Sequence, residues 1–334
     1  MYPQIDKKAR GQIRHAAEVL AAGGLVAIPT ETVYGLAADA DNKEAVLATF
    51  AVKGRPTNHP LIVHVTGADA LSFWAKTVPE AALKLAAAFW PGPLTMVLPK
   101  SDRCGDFVTG GQDSVAIRAP SHPWIRELLL AFEGDTHKGL TAPSANTFGR
   151  ISPTSAQHVS DDLGVKPEGK LDYILDGGIC EVGVESTIVN LTGKTPEILR
   201  HGVITREMLE TVLGVSVPDA GNNAPRASGR LKSHYAPKTG TEIVTGDIAR
   251  RIAELADRKI AVMAPNACQI VSDNVVFALD TASDVKAYAH NLYDALHRLD
   301  AAGADIILIA EPPQTPEWAA VNDRLGRAAA DKDK

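Results

Sequence analysis

Apolar and polar residues follow two distinguishable periods along this chain. From Ala9 to Ala22 the apolar positions recur at helical spacing and stop at Gly23-Gly24, a pair that suits the left-handed turn closing many helices. Leu25 to Pro29 (LVAIP) is a continuous apolar run of strand length, followed by the polar turn TETVYG. A second helix is predicted from about Asn42 to Val52, and a Gly-Arg-Pro break precedes the strand Leu61 to Val65. Pro79 to Trp90 reads as a helix set between a leading proline and Pro-Gly-Pro. LTMVLP, SVAIRAP and GLTAPSAN are short strands or strand ends, with HPWIRELLLAF a helix between the last two. YILDGG, STIVNLT and EILR add strands, and Thr205 to Leu213 a closing helix. This irregular alternation predicts a twisted α/β sheet of mixed strand direction.

From Val215 to Gly240 the periodicity vanishes into a stretch rich in Gly, Pro, Asn and Ala, the composition of a linker. A compact series follows: strand TEIVT, helix Asp247 to Asp257, strands KIAVMA and NVVFAL, helix Ser283 to Leu299, strand DIILIAEP and a last helix from about Pro316 to Ala330. The pattern therefore divides the chain into a domain over 1–214, a linker over 215–240 and a smaller Rossmann-like α/β domain over 241–334. The second domain has no G-x-G-x-x-G, so nothing there supports dinucleotide binding.

Composition narrows the class. At 334 residues, with 45% hydrophobic and 22% charged residues, the chain has room for two well-cored domains. The net charge of -6 argues against a broad grip on nucleic acid, which needs a basic surface, and stable nucleic-acid binding is not expected. Three scattered cysteines, Cys104, Cys180 and Cys268, give neither a disulfide framework nor a zinc knuckle, and fit a reducing cytoplasm. The N-terminus lacks an apolar signal region and no run is long enough to span a membrane, so a cytoplasmic location away from membranes is expected.

The candidate chemistry lies in short polar patches at the ends of apolar strands: Thr30-Glu31-Thr32, Lys53-Gly54-Arg55, His64, Ser114 with Arg118, Ser144-Ala145-Asn146, Ser152, Glu185-Ser186-Thr187 and Leu199-Arg200. Any one of these could be ordinary turn chemistry. Together they suggest one cleft beyond the strand ends, where open α/β sheets bind ligands. Gly193-Lys194-Thr195 is no P-loop, because Ile188 stands where the first glycine would be. No Ser-His-Asp or Cys-His nucleophile and no tight metal-ligand spacing is visible. Cations and hydroxyls without a nucleophile point to phosphoryl or nucleotidyl transfer, in which positioning and charge stabilisation carry most of the catalysis.

AIPTETVYGLAADA, KGRPTNHPLIVHV, FWPGPLTMVLP, SVAIRAPSHP, TAPSANTFGRISPT, GVESTIVNLTG and ILRHG resemble, in order, the blocks of the YrdC-like domain. HYAP in the linker and VNDRLGRAA at the end resemble the two-domain form of the threonylcarbamoyl-AMP synthase family. The resemblance implies a nucleotidyltransferase that joins L-threonine, bicarbonate or CO2, and ATP with Mg²⁺. Its product would pass to a threonylcarbamoyl-transferase complex for modification of adenosine 37 of tRNA to t6A. It places Thr32, His64, Arg118, Ala142 (through its backbone) and Ser186 at threonine, and Arg55, His59, Ser114, Ser144, Asn146, Ser152, Arg200 and Tyr235 at ATP. Lys53 and Arg55 would act on the phosphates as the catalytic pair, and Tyr235 would make the linker a lid. His59 stands where many relatives carry Asn, and His201 where Pro is frequent. Two alternatives are an RNA-binding or ribosome-associated YrdC-like module, disfavoured by the acidic balance, and a hydrogenase-maturation carbamoyl transferase, disfavoured by the absence of paired cysteine motifs.

Overall fold

The computed structural model describes residues 2–133, 137–229 and 234–330. The chain forms two compact units. The first comprises Met1–Phe148, Pro153–Glu181 and Glu185–Arg230; the second comprises Gly149–Ser152, Val182–Val184 and Leu231–Lys334. Among the described residues no helix is long and apolar enough to cross a membrane.

The first unit is built on nine strands: β1 (Val26–Ile28), β2 (Gly35–Asp39), β3 (Ile62–His64), β4 (Leu94–Pro99), β5 (Ser114–Arg118), β6 (Leu140–Thr141), β7 (Tyr173–Ile174), β8 (Thr187–Asn190) and β9 (Glu197–Arg200). They lie in the order β7-β1-β2-β6-β3-β5-β4-β8-β9. The β1·β7, β3·β5 and β4·β8 pairs are parallel and the others antiparallel, the mixed sheet that the irregular alternation predicts. The helix Lys7–Ala21 starts on Asp6, whose side chain accepts from the amide of Ala9, and buries Ile13, Ala16 and Leu20. The helix Lys43–Lys53 starts on Asn42 in the same way and ends at left-handed Gly54, which turns the chain into Arg55.

Strand β2 escapes the hydrophobic pattern. GLAAD has no β-branched residue and follows a polar turn, yet it pairs with β1 (Val26↔Ala37) and with β6 (Ala38↔Thr141). Neighbours on both sides, rather than intrinsic propensity, make it a strand.

Alternation along the strands separates two faces of the sheet. Val63, Leu94, Met96, Leu98, Val115, Ile117 and Val189 point into the main core with Leu71, Trp74, Leu85 and Leu209. On the other face Val97, Ile188 and Leu199 are covered, beside Ile62 and Ala116, by Ala220, Ala224 and Ala227. Those alanines belong to the stretch read as linker. Val217 is buried in the main core and Asp219 bridges Ile198, so the segment up to residue 229 packs onto the first unit.

The second unit is a parallel sheet of β10 (Thr241–Val244), β11 (Ile260–Ala264), β12 (Val275–Asp280) and β13 (Ile306–Ala310), ordered β10-β13-β11-β12. Buried Ile260, Val262, Ala264 and Leu308 form a core cluster with Ile252 and Ala267. This is the smaller Rossmann-like α/β arrangement that the strand-helix series suggests.

Candidate functional site

Ser114 opens β5 and Arg118 closes it, so the polar residues cannot share one edge of the sheet. They share a face. Residues two apart on a strand point the same way, and residues in register across strands point together. Ser114, Ala116 and Arg118 therefore align with Ile62 and His64 through the pairs Ile62↔Ala116 and His64↔Arg118. Thr95 joins the same face through Thr95↔Ile188, and Ser186 lies two residues before Ile188. The cleft expected beyond the strand ends is a polar strip along one sheet face.

At one end of the strip Arg118, His64, Thr32, Glu31 and Ser186 are all buried. The tight turn after β1 fixes Thr32. Thr30 Oγ1 donates to the Val33 carbonyl (2.6 Å) and accepts from the amides of Thr32 (3.1 Å) and Val33 (3.2 Å). Its single proton is thus committed, so the 2.9 Å contact between Thr30 Oγ1 and Thr32 Oγ1 runs from the Thr32 hydroxyl. Thr32 Oγ1 in turn accepts from Arg118 Nη1 at 3.0 Å. Arg118 Nη2 lies 2.7 Å from Glu31 Oε1 as an ion pair without hydrogen-bond alignment. Burial, and then the positive charge of Arg118, push the His64 imidazole down to about 3, so it is neutral at ordinary pH. Ala142 sits beside β3 through its amide to the Ile62 carbonyl (3.3 Å), and a side-chain carbon on Gly35 would stand 2.9 Å from the Ala142 methyl. Glycine keeps that wall thin. Ser186 Oγ lies 2.8 Å from Thr95 Oγ1 and accepts from Arg200 Nη2 at 3.0 Å, while Arg200 Nε donates to the Ser186 carbonyl at 3.0 Å.

Toward Ser114 the strip is a set of cations held by loops. Arg55 Nη2 donates to the Pro60 carbonyl (2.9 Å) and to Ser228 Oγ (3.1 Å), and Arg200 Nη1 donates to the Ser228 carbonyl (3.2 Å). Ser228 Oγ itself donates to the Pro60 carbonyl at 3.1 Å. The segment before it is tied down by the Arg226 amide to Gln112 Oε1 (2.7 Å) and by Arg226 Nη2 to the Gly110 carbonyl (2.8 Å). Arg55 lies 5.9 Å from the centre of the Phe148 ring, and His59 meets the same ring edge-on at 5.4 Å. Burial first, and then Arg55 and Arg226, lower the His59 pKa.

Lys53 is buried at the end of its helix, and its ammonium donates to the carbonyls of Ser144 and Asn146 at 2.5 Å each. Burial, with Arg55 as the lesser cause, depresses its pKa well below the usual lysine range. The Lys-x-Arg and Ser-x-Asn motifs are thereby joined: the lysine fastens the loop that presents Ser144 and Asn146, and Phe148 follows with its amide on the Lys53 carbonyl at 2.8 Å. Ser152 and Tyr235 fall in the second unit. There the Ser152 carbonyl contacts His297 Nε2 (3.2 Å). Tyr235 takes a positive φ of 60°, with its ring 5.6 Å from Tyr293 and 5.5 Å from the Arg324 guanidinium.

Glu31, Phe148 and Ser228 belong to the site by position, and of these only Glu31, within Thr30-Glu31-Thr32, is among the sequence candidates. Glu31 and Phe148 stand inside quoted motifs, where a carboxylate between two threonines and an aromatic residue beside a glycine were available signals. Ser228 lies in an aperiodic stretch and gave none.

Comparison with known proteins identifies the family. A family model described as telomere recombination matches residues 18–202, and one described as threonylcarbamoyl-AMP synthase, C-terminal domain, matches residues 204–330. The threonylcarbamoyl-AMP synthase of Pyrococcus abyssi is 39% identical over 95% of this chain and 94% of its own length. That of Bacillus subtilis is 38% identical over 95% of this chain and 93% of its own. The crystal structure of P. abyssi Sua5 complexed with L-threonine superposes with a TM-score of 0.86 at 37% identity, covering 96% of this chain and 94% of that one. The buried polar strip, the mixed sheet that carries it and this similarity along nearly the whole length lead to one conclusion: the chain belongs to the threonylcarbamoyl-AMP synthase family.

Proposed function

We propose that this chain condenses L-threonine, CO2 or bicarbonate, and ATP into threonylcarbamoyl-AMP and pyrophosphate, and that the polar strip is where it does so. The observation that carries the placement is Arg118, a buried cation whose planar fork suits a carboxylate, set beside the hydroxyl of Thr32. In this reading Arg118 takes the threonine carboxylate, and Thr32, His64, Ser186 and the Ala142 backbone shape the rest of the amino-acid pocket. Arg55, Arg200, Ser114, Ser144, Asn146 and His59 face ATP, with Phe148 as an apolar wall.

The threonine amine and CO2 form a carbamate. One carbamate oxygen then bonds to the α-phosphorus in line as the bond to the departing pyrophosphate oxygen breaks. Arg55 and Arg200 offset the charge that develops on the phosphates, and Lys53 serves by holding the Ser144–Asn146 loop. Enclosure keeps the labile carbamate beside ATP and away from bulk water. Mg²⁺, brought with ATP, would add to that charge stabilisation. The segment that ends at Ser228 bridges Arg55 and Arg200 and would exchange with the nucleotide, which makes this half of the linker the nearest candidate for a lid. The product would serve t6A formation at adenosine 37 of tRNA through a downstream transferase complex.

Purified protein incubated with ATP, Mg²⁺, threonine and bicarbonate should yield threonylcarbamoyl-AMP by mass spectrometry, with stoichiometric pyrophosphate. No adduct, or equal use of serine and threonine, would refute the assignment.

A further inference from the structure

The buried end of the strip holds one more charged group than the pocket so far described uses. Glu31 is buried, and neither of its carboxylate oxygens meets a donor in hydrogen-bond geometry among the described residues. Arg118 is incompletely used in the same sense. Its Nη1 donates to Thr32, whereas Nε and Nη2 have no aligned acceptor among the described residues. Nε and Nη2 form the edge of a guanidinium that grips a carboxylate with two parallel bonds. A carboxylate docking on that edge would take Nη2 from Glu31 and leave Glu31 a buried anion in want of a cation. Among the described residues, Tyr2, His122 and Cys180, which interact with Glu31, do not supply one. Burial keeps His122 neutral, with its pKa pushed down to about 4, and raises the Tyr2 phenol and the Cys180 thiol, so both stay protonated. Glu181, which acts on the same Tyr2 and His122, adds a further negative charge. With a docked carboxylate and Glu31 both against Arg118, the pocket would have a place for one positive charge held close to a carboxylate, as in an α-amino acid.

Resting on the assignment of threonine to this pocket, we infer that Glu31 is a catalytic residue for the carbamate-forming step: it binds the substrate's α-ammonium and accepts a proton from it. An N–H bond of the ammonium breaks, an O–H bond forms on Glu31, and the freed nitrogen lone pair makes the N–C bond to CO2 as one C–O π bond opens to an oxyanion. The adduct loses its second ammonium proton to water, giving the carbamate, and Glu31 returns its proton to water on product release. An ammonium cannot attack CO2, so the proton must leave first, and Glu31 is the buried carboxylate placed to take it.

The test is Glu31→Gln, which keeps the shape and removes the charge. Affinities for threonine and for 3-hydroxybutyrate, its analogue without the amine, are measured by calorimetry, alongside the pH dependence of threonylcarbamoyl-AMP formation. Glu31→Gln should bind threonine ~10-fold or more weakly through loss of a charge-assisted contact. It should bind 3-hydroxybutyrate as well as or better than wild type. At neutral pH its rate should fall by roughly 10²-fold or more, the usual contribution of a positioned base. That rate should recover as the pH rises through the pKa of the free amine, more steeply than wild type. Equal loss of both ligands, an unchanged rate, or a lost rate that stays flat with pH would overturn the proposal. If Glu31→Gln fails to fold, Glu31→Asp decides: it should keep the preference for threonine over 3-hydroxybutyrate, and a folded Glu31→Asp protein without that preference refutes the role. Wild-type protein that neither binds threonine nor forms the adduct would instead sink the functional reading on which this rests.

Discussion

The two ends of the polar strip differ in how they are built. At the Arg118 end the chemistry sits on strands and on the turn after β1. Thr32, His64, Arg118 and Ser186 are buried, and the contacts of Arg118 run to the side chains of Thr32 and Glu31. At the Ser114 end the guanidinium groups come from a loop and from the end of an outer strand, and they are bridged by Ser228 from an extended segment. One end is rigid because its polar groups are held by the same ladder that forms the sheet. The other depends on loops and on a segment whose side chains on the face are small. A small amino acid can be recognised by a preformed pocket, whereas a long nucleotide that must enter and leave as pyrophosphate and adenylate suits a displaceable cover.

The largest effect should come from Arg118→Ala, which removes one partner of a buried pair and leaves Glu31 uncompensated. A stability loss of about 3–5 kcal/mol is expected in denaturant titration, together with loss of threonine binding by calorimetry. ATP affinity should remain within a few-fold of wild type; if a folded variant loses both ligands, the two ends are not separate subsites. Next, Arg55→Ala should raise the KM for ATP by roughly 10- to 100-fold, the range for losing a hydrogen bond to a charged group, and leave the threonine KM nearly unchanged. Arg200→Ala should raise both constants, because Arg200 bonds Ser186 as well as Ser228. A variant that raises only the ATP constant would move Arg200 wholly to the nucleotide end.

Acid should act through the rigid end. Folded His64 titrates at about 3 against 6.5 for an ordinary histidine, so below about 6.5 the unfolded chain takes up a proton that the folded chain refuses. The stability this histidine confers is complete above that range and is lost as pH falls through it, at a limiting slope of about 1.4 kcal/mol per pH unit. Denaturant midpoints at pH 7, 6 and 5 should drop accordingly, and His64→Gln should flatten the slope by one proton; an unaltered slope would place the acid sensitivity elsewhere. The smallest effect belongs to Ser228→Ala. Loss of its bonds to Arg55 and Pro60, each worth about 0.5–1.5 kcal/mol, should tighten ATP binding by a few-fold without touching threonine. Weaker ATP binding in this variant would mean that the segment assists the nucleotide and does not compete with it.

Most elements were legible because their periods are clean. The helix Lys7–Ala21 buries an i, i+3, i+4, i+7 stripe, and β3, β4 and β11 are apolar runs bounded by glycine, proline or polar turns. Strand β2 was not, because nothing in GLAAD marks it as a strand apart from the neighbours it pairs with. The stretch from Val215 was misleading for a related reason: its small residues carry no period, yet Ala220, Ala224 and Ala227 lie flat on the sheet face because they are small.

Sequence alone determined the residue types along the motifs and, through the order of those motifs, the family of the chain. These are local quantities: hydroxyls, fixed cations and glycines at set spacings along the chain. Only the tertiary structure decided that Ser114 and Arg118 share a face and not an edge, that Lys53 is spent on the Ser144–Asn146 loop, and that Glu31 is buried against Arg118. Register between strands and burial arise from pairings between residues far apart in the chain, and they decide whether a charged side chain meets water, a backbone carbonyl or another charge.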